Sequence, residues 1–543
     1  MTRATSTYHN PAAPATWLVY GPVTLPAQGS APSGDGGRAA AALVTIGIVA
    51  SRLAGFVRQR VVAHYLGTSA AADAVAAAFR IGNLTQNLLG EGTLSASFIP
   101  VYVRLRLESA GVAGRFARAA LGALITIATV LSLLGVLFAP ALAGVLAPGF
   151  DAPTEALTAE LLRVLFPMTG VLVLGAWALG VLTSHRRFLL PYAVPVVWSG
   201  AQIAALVVAG SALHLGTEAI ARSVAWGALG GAVLQLAIML LPVRGILDGL
   251  APVLDTRAEG LREAARNVPG AILGRGVIQL SGLVDTMLAS LVGAGAVATL
   301  GYAQTIYLLP MAVLGTGEAA AALPEMAARS AADEAGRASL REALGRSLAR
   351  VMALGLPAAA VLLALSLEIT SLLFRGGSFG ASSADDVARV LAFYAAGLPA
   401  NAASRVVSVT SFALGDTSRP ARFAVVRVVV STAIALATLR FLGVAGIVLG
   451  AAIAAWVELA LLSRHVSTKI GGLGLEHVPF SRIVAVAFAS AGAGLAVRFA
   501  ARSLELHSLV ASALVVAASG IAFLVSIQAL RVVSLRSILR PRR

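Results

Sequence analysis

Cysteine is absent from this chain, and only 12% of its 543 residues are charged. The missing thiols exclude disulfides, thiolate metal sites and cysteine nucleophiles. The seven histidines are scattered without the spacing of a metal site, so we expect no metal centre. A soluble chain would carry charges at about a quarter of its positions. The shortage of charge therefore predicts a membrane protein.

Long apolar runs recur along the whole sequence, and the mean hydropathy is +0.86. Each run reaches the roughly 20 residues with which a helix crosses about 30 Å of hydrocarbon. The runs are rich in Ala, Leu and Val without period-two alternation, which favours helices over a barrel. We therefore predict an all-α polytopic membrane protein with about fourteen transmembrane helices. The predicted spans are residues 39–66, 71–103, 118–147, 154–184, 188–212, 218–243, 267–293, 296–327, 347–373, 387–413, 421–441, 443–463, 481–502 and 508–531.

The formal net charge of +16 would also fit a protein that binds nucleic acid. The charge distribution favours a different explanation, because acidic and basic residues occupy alternate loops, which is the positive-inside pattern. It predicts an inner membrane protein of a bacterium with both termini in the cytoplasm and no nucleic-acid partner. The basic loops are 104–115, 185–187, 244–266, 329–346, 419–422, 464–469 and 536–543, and the acidic ones are 151–155, 218 and 385–386.

A weak internal repeat relates residues 66–100 to residues 292–324, and it aligns Leu89-Gly90 with Leu314-Gly315. It predicts two parallel lobes about an axis normal to the membrane, which is a transporter architecture. Chance similarity between helices rich in Ala and Gly is the alternative. The predicted organisation is a disordered cytoplasmic tail (1–38), an N-lobe (39–243), a cytoplasmic linker (244–266), a C-lobe (267–463), a cytoplasmic loop (464–480), two further helices (481–531) and a basic cytoplasmic tail (532–543).

Four charged residues, Arg52, Arg58, Arg80 and Glu91, lie within the first two apolar runs. An arginine at the centre of a membrane helix costs about 2.5–3.5 kcal/mol or more, so such residues usually face a cavity or a partner. Arginine recognises phosphate and carboxylate through paired N–H donors, and the excess of arginine here favours a ligand that carries phosphate. The alternative is a structural Arg–Glu pair that joins two helices.

The second half of the chain has its own charges within apolar runs, namely Arg275, Asp285, Arg405 and Arg427. Asp285 could pair with one of these arginines or bind a coupling cation. From the sequence alone both interpretations stay open.

Residues 51–58, SRLAGFVR, resemble the SRxxGFxR signature that opens the MurJ (MviN) family of lipid II flippases. Collinear similarities continue over residues 40–530, including Phe166-Pro167 and Tyr302-Ala303. This family belongs to the multidrug/oligosaccharidyl-lipid/polysaccharide exporter superfamily. The resemblance implies two six-helix lobes around a central cationic cavity, with residues 481–531 forming a groove for the polyprenyl tail.

The resemblance also implies a function. The chain would move lipid-linked muropeptide, a polyprenyl diphosphate, from the cytoplasmic to the periplasmic leaflet by alternating access. It would act as a monomer within the membrane lipid and would be neither an enzyme nor a cofactor protein. Coupling to the membrane potential or to a monovalent cation would drive it.

Residue by residue, Arg52 and Arg58 match the functional arginines of the family, which would bind the diphosphate, so replacing Arg52 by Ala should abolish function but not insertion. Arg80 stands where the family often has Lys, and Arg405 stands where a Lys occurs in helix 10 of relatives. The resemblance implies that Arg80 and Arg405 also bind the substrate, together with the polar side chains Asp73, Asn83, Gln86 and Glu91.

Two departures affect the expected diphosphate site. Gln86 stands where the family usually has Arg, and Tyr302-Ala303-Gln304-Thr305 replaces a YADR-like segment. Two expected arginines are therefore missing, which leaves an exporter of another polyprenyl-diphosphate saccharide as an alternative. A cation-coupled small-molecule antiporter is a weaker alternative, because an arginine-rich cavity disfavours organic cations. A membrane scaffold without transport activity would instead tolerate apolar residues at Arg52 and Arg58.

Overall fold

A computed structural model describes residues 35–247, 249–312, 318–327, 329, 333–530 and 532. Within these residues, the side chains of 35–45, 89, 91, 270–279, 320, 321 and 324 lie outside the description. The predicted all-α membrane fold is confirmed, because the described elements are helices and β pairing is limited to one isolated bridge between Gly376 and Phe379. The predicted tail 1–38 and the basic tail 532–543 lie almost entirely outside the described residues.

The N-lobe is a bundle of long helices with short connections. Its helices are α1 (Asp35–Leu66), α2 (Ala70–Leu89), α3 (Glu91–Glu108), α4 (Ala110–Leu137), α5 (Ala139–Leu146), α6 (Ala152–Ser184), α7 (Leu189–Ala193), α8 (Pro195–Val207), which continues as a π turn (Val208–Ala212), and α9 (Thr217–Ile246).

The C-lobe repeats this plan, and two further helices follow it. Its helices are α10 (Leu261–Ser290), α11 (Ala296–Met311), α12 (Glu318–Ala327), α13 (Glu334–Ala364), α14 (Ser366–Phe374), α15 (Ala381–Ala413), α16 (Ser418–Leu442) and α17 (Val444–Ile470). Beyond them, α18 (Phe480–Ser503) and α19 (Ser508–Ala529) pack against each other and against α13 and α14. A 2.9 Å ion pair between Arg498 on α18 and Glu368 on α14 ties this pair to the C-lobe.

Several segments that were predicted as one span each consist of two helices. The span 71–103 divides into α2 and α3 at Gly90, where a Cβ would come within 2.4 Å of the Gln86 carbonyl oxygen. Only a glycine fits that close approach without a shift of the backbone. The spans 118–147 and 347–373 likewise divide into α4 and α5, and into α13 and α14. The span 296–327 contains α11 and α12, and residues 313–317 between them lie outside the described residues.

Ten helical segments in the described part of the chain are long and apolar enough to cross a membrane. The other predicted spans correspond to α1, α2 with α3, α10, and α11 with α12, and each of these four contains charged residues. Of these helices, α1, α2, α3, α10 and α11 make contacts between the lobes. The total of fourteen spans stays a prediction.

Candidate functional site

A cavity of about 390 Å³ lies between the two lobes. The N-lobe lines it with α1, α2, α8 and α9, and the C-lobe lines it with α10 and α11. Two arginines and several amides contribute the polar surface, and the described residues that line the cavity include no carboxylate. The lining residues therefore carry net positive charge, while Asp285 on α10 lies outside the lining but within electrostatic reach of Arg80. The principal polar side chains are Arg58, Gln59, Arg80, Asn83, Gln202 and Gln304.

Arg58 enters the cavity from α1 and lies against an aromatic ring. Its Cζ atom is 5.0 Å from the centroid of the Trp198 ring on α8, within the range of a cation–π contact. Its Nη1 atom is shielded from solvent and has no hydrogen-bond acceptor. A buried guanidinium donor without an acceptor is costly, so this atom is suited to an anionic ligand.

Arg80 enters the same cavity from α2 and reaches across to the C-lobe. Its Nε donates to the carbonyl oxygen of Gly282 at 3.0 Å, and its Nη1 donates to Gln304 Oε1 at 3.3 Å. Both acceptors are neutral, so these two hydrogen bonds hold the guanidinium in place without neutralising its charge. The sequence had predicted both Arg58 and Arg80 as ligands, and the structure brings them to one cavity.

Asp73 lies outside this cavity, although the sequence placed it among the substrate ligands. Its carboxylate accepts hydrogen bonds from the backbone nitrogens of Gly295 at 2.5 Å and Ala298 at 2.7 Å. A carboxylate at this position satisfies free N–H groups of α11 and complements the helix dipole. One turn further, the Tyr302 hydroxyl donates to the carbonyl oxygen of Gly67 at 2.9 Å. In this structure Asp73 joins the lobes rather than facing a ligand.

These contacts belong to what we call the closed seam, the interlobe contacts made by residues 60–73, 149, 290–302 and 372–383. Two further hydrogen bonds of the seam have backbone donors: Ser378 N donates to His64 O at 2.7 Å, and Gly149 N donates to Ser290 Oγ at 3.2 Å. Two more come from side chains: Thr68 Oγ1 lies 2.8 Å from Ser383 Oγ, and Arg60 Nη1 donates to Leu372 O at 3.1 Å. The seam lies at the end of the bundle opposite the basic loops. The cavity is therefore closed at that end.

The lobes also meet at the end that bears the basic loops. There Arg104 on α3 pairs with Glu263 on α10 at 2.5 Å, and both side chains are about half exposed. Solvent-exposed ion pairs contribute only about 0–1 kcal/mol. This end therefore has a weaker polar contact than the closed seam, in which buried groups are satisfied across the lobes.

The other predicted ligands of the first lobe are dispersed. Arg52 is exposed on α1 and does not line the cavity, because a spacing of six residues turns it about 120° away from Arg58 on a straight helix. Asn83 does line the cavity, whereas Gln86 is half-buried outside it. The side chain of Glu91 lies outside the described residues.

In the second lobe the structure reveals a carboxylate that the sequence analysis missed. Arg427 on α16 pairs at 2.9 Å with Glu458 on α17, whose side chain is 2% exposed. Asp285 on α10 lies within electrostatic reach of Arg80 and Arg427. Arg405 on α15 interacts electrostatically with Tyr307 and does not line the cavity.

Arg275 is the remaining predicted charge of this lobe, and its side chain lies outside the described residues. The sequence did contain a signal for the partner of Arg427, because Glu458 is a carboxylate in the middle of the apolar run that follows α16.

Comparison with known proteins gives concordant results. A family model described as lipid II flippase MurJ matches residues 62–533. A probable lipid II flippase MurJ of Rhizobium meliloti (strain 1021) is 35% identical over 422 residues, which cover 76% of this chain and 77% of that protein. The lipid II flippase MurJ of Burkholderia cenocepacia is 29% identical over 420 residues, which cover 76% of this chain and 80% of that protein.

Two solved structures share the fold. A lipid II flippase MurJ in an inward closed conformation matches with a TM-score of 0.72 at 18% identity, over 90% of this chain and 99% of that one. An inward-facing multidrug resistance transporter of the MATE family and MOP superfamily matches with a TM-score of 0.64 at 19% identity, over 80% of this chain and 98% of that one. At such identities the likeness concerns the fold alone.

Proposed function

The chain belongs to the family of lipid II flippases named MurJ, and from this premise we propose that it moves lipid II from the cytoplasmic to the periplasmic leaflet. The membrane would be the inner membrane of a bacterium, with both termini in the cytoplasm, as the alternate basic loops favour. The protein would act as a monomer and make or break no covalent bond.

The observation that carries this proposal is the cationic cavity between the lobes. Arg58 and Arg80 line it, the described lining residues include no carboxylate, and both hydrogen-bond acceptors of Arg80 are neutral. A diphosphate offers several anionic oxygens, and charge-assisted hydrogen bonds from guanidinium groups are among the strongest in proteins. Arg58 and Arg80 would thus bind the diphosphate, with Asn83 beside them.

Arg52 would act earlier than Arg58. It is exposed on α1 and lies outside the cavity, so it is available to a head group that approaches from the membrane surface. The diphosphate would pass from Arg52 to Arg58 along the same helix. Gln86 lies outside the cavity and would contribute less, and Arg405 would act only when the lobes move apart.

Alternating access follows from the unequal ends of the cavity. The closed seam holds the periplasmic end shut, while the half-exposed pair of Arg104 and Glu263 lies at the cytoplasmic end. The cytoplasmic end would open first to admit the head group. Translocation would then break the seam contacts of Asp73 and Tyr302 and rotate one lobe against the other. The lipid tail would stay in the bilayer beside α18 and α19.

The coupling of transport is a separate part of the proposal. Asp285 lies near Arg80 and Arg427, and Arg427 already pairs with Glu458. These arginines supply positive charge where a bound cation would otherwise sit, so we favour an ion-pair role for Asp285. The membrane potential would then act on the charged lipid and on the arginines of the cavity.

A second candidate substrate is another polyprenyl-diphosphate-linked saccharide. It is favoured by the amides Gln59, Gln202 and Gln304, because an amide can both donate hydrogen bonds to sugar hydroxyls and accept them. Such contacts need no peptide in the head group. Both candidates share the diphosphate and differ in the head group.

The test is rescue of a bacterium depleted of its own lipid II flippase. The wild-type chain should restore growth, and Arg58→Ala should not, at equal membrane levels. Arg389→Ala is the matched control, because the Arg389 side chain is 66% exposed in the N-terminal part of α15 and lies outside the cavity. Failure of the wild-type chain while it is present in the membrane would favour the second candidate substrate.

A further inference from the structure

Arg58 depends on an aromatic ring for its position. The described part of the chain offers it no ion-pair partner, and its Nη1 atom is buried without an acceptor. The favourable contact that the structure does provide is the face of Trp198, at 5.0 Å from Cζ. Tryptophan is the best of the aromatic side chains for such a contact, and the contact strengthens where water is excluded.

The Trp198 ring is itself fixed by the packing of α8 against α9. Its Nε1 donates to the carbonyl oxygen of Ala228 at 3.0 Å. Gly227 and Gly231 flank that carbonyl, and a Cβ at either position would come within 2.8 Å of an alanine Cβ on α8. Small residues at this spacing let two helix backbones approach closely. The glycines therefore bring the Ala228 carbonyl within reach of the indole.

We propose that Trp198 is a positioning residue, which holds the guanidinium of Arg58 in the cavity so that its donors stay available to the anionic head group. This inference rests on the proposed function, because it assumes that Arg58 binds a diphosphate. A carboxylate in place of the ring would also hold Arg58, but it would occupy the donors and neutralise the charge. The ring stabilises the cation and accepts no conventional hydrogen bond from it.

The competing explanation is that Trp198 only fills space between α1, α8 and α9. In that case any large apolar side chain would serve, and the effect of replacing Trp198 would not depend on Arg58. The two explanations differ in the coupling between the residues, which a double-mutant cycle measures.

The experiment uses the full chain in lipid nanodiscs, with undecaprenyl diphosphate as the probe and its dissociation constant as the readout. Trp198→Leu should weaken binding roughly 10- to 30-fold, the value of a desolvated cation–π contact. Trp198→Phe, which keeps a smaller ring, should weaken it less. In the Arg58→Ala background, Trp198→Leu should have almost no further effect.

Trp456→Leu is the matched control. The Trp456 indole also donates to a backbone carbonyl, that of Ala396, at 3.0 Å, but it lies in the C-lobe away from Arg58. This variant should bind the probe as the wild type does. The inference is overturned if Trp198→Leu binds the probe as tightly as the wild type. It is also overturned if Trp198→Leu weakens binding by the same factor in the Arg58→Ala background as in the wild type. Absence of binding by the wild type would contradict the proposed function instead.

Discussion

The carboxylate of Asp73 in the N-lobe accepts a 2.5 Å hydrogen bond from the backbone nitrogen of Gly295 in the C-lobe. A second bond from Ala298 places the same carboxylate on the first turn of α11. The contact joins helices that are more than 200 residues apart in sequence, at the end of the cavity that we assign to the periplasm. Alternating access requires this contact to break once in each transport cycle.

Removal of the Asp73 carboxylate should loosen the closed seam. Asp73→Ala leaves buried N–H groups of α11 without a hydrogen-bond acceptor, and each such group costs the closed form about 1–3 kcal/mol. We expect a shift towards open forms of the periplasmic end. Because the chain has no cysteine, the pair Thr68→Cys and Ser383→Cys can report the shift, since the two hydroxyls lie 2.8 Å apart. Disulfide yield at this pair should fall in the Asp73→Ala background.

Asp151→Ala provides the control for that measurement. Asp151 also caps a helix, through a bond from Thr154 N at 3.3 Å, but the cap lies within the N-lobe. It should leave the disulfide yield unchanged. Equal yields in all three backgrounds would show that the Asp73 cap does not hold the seam.

A carboxylate at position 304 should compete with the ligand for Arg80. Gln304→Glu keeps the size of the side chain and turns the neutral acceptor of Arg80 into an anionic one. The new ion pair would satisfy the guanidinium and repel the diphosphate, so we expect about a tenfold loss of affinity, the worth of a single charge-assisted hydrogen bond. The measurement is binding of undecaprenyl diphosphate in nanodiscs. Gln304→Met, which adds no charge, should bind nearly as the wild type does, and unchanged affinity of Gln304→Glu would remove Arg80 from the site.

The Arg427–Glu458 pair should stabilise the C-lobe. Breaking a buried pair by removing one partner costs about 3–5 kcal/mol, and partial exposure of Arg427 should bring the effect towards the lower end. Glu458→Gln should therefore lower the melting temperature of the purified protein. Glu218→Gln breaks an exposed pair with Arg222 and should change it little. Similar melting temperatures for the two variants would mean that the buried pair is not stabilising.

The loop between α15 and α16 should make stability depend on pH. Burial alone would raise the pKa of Asp416, but hydrogen bonds from Arg419 N, Ser418 and His465 outweigh it and lower the pKa. A carboxyl with a lowered pKa stabilises the fold above its unfolded pKa of about 3.9, and this contribution is lost as the pH falls through the lowered value. Asp416→Asn should be less stable than the wild type near neutral pH. The difference in melting temperature should shrink as the pH falls below about 4, and a difference independent of pH would contradict the assignment.

The sequence was informative where a charge in an apolar run carries a high energetic cost. That cost identified Arg58 and Arg80 as cavity residues, and the structure places both in the cavity. Asp73 was proposed as a ligand from the family resemblance instead, and its partners are backbone amides on a distant helix, which leave no side-chain signal in the sequence. A role as a seam contact was therefore not predictable.

Other features were hidden for similar physical reasons. The helix break at Gly90 lies within the segment 71–103 that was predicted as one span, so the prediction merged α2 with α3. Glu458 was missed because the sequence does not show that this position on α17 faces Arg427 on α16. Trp198 gave no signal, because a single tryptophan in an apolar helix resembles any core residue until Arg58 is seen on its face.

The most direct test of the central claim measures lipid II on the outer leaflet of the inner membrane. Cells depleted of their own flippase would express the wild-type chain or Arg58→Ala at equal membrane levels, and the exposed lipid II would be quantified. The account predicts that the wild type restores outer-leaflet lipid II and that Arg58→Ala leaves it in the cytoplasmic leaflet. Full exposure with Arg58→Ala, or no exposure with the wild type, would contradict it.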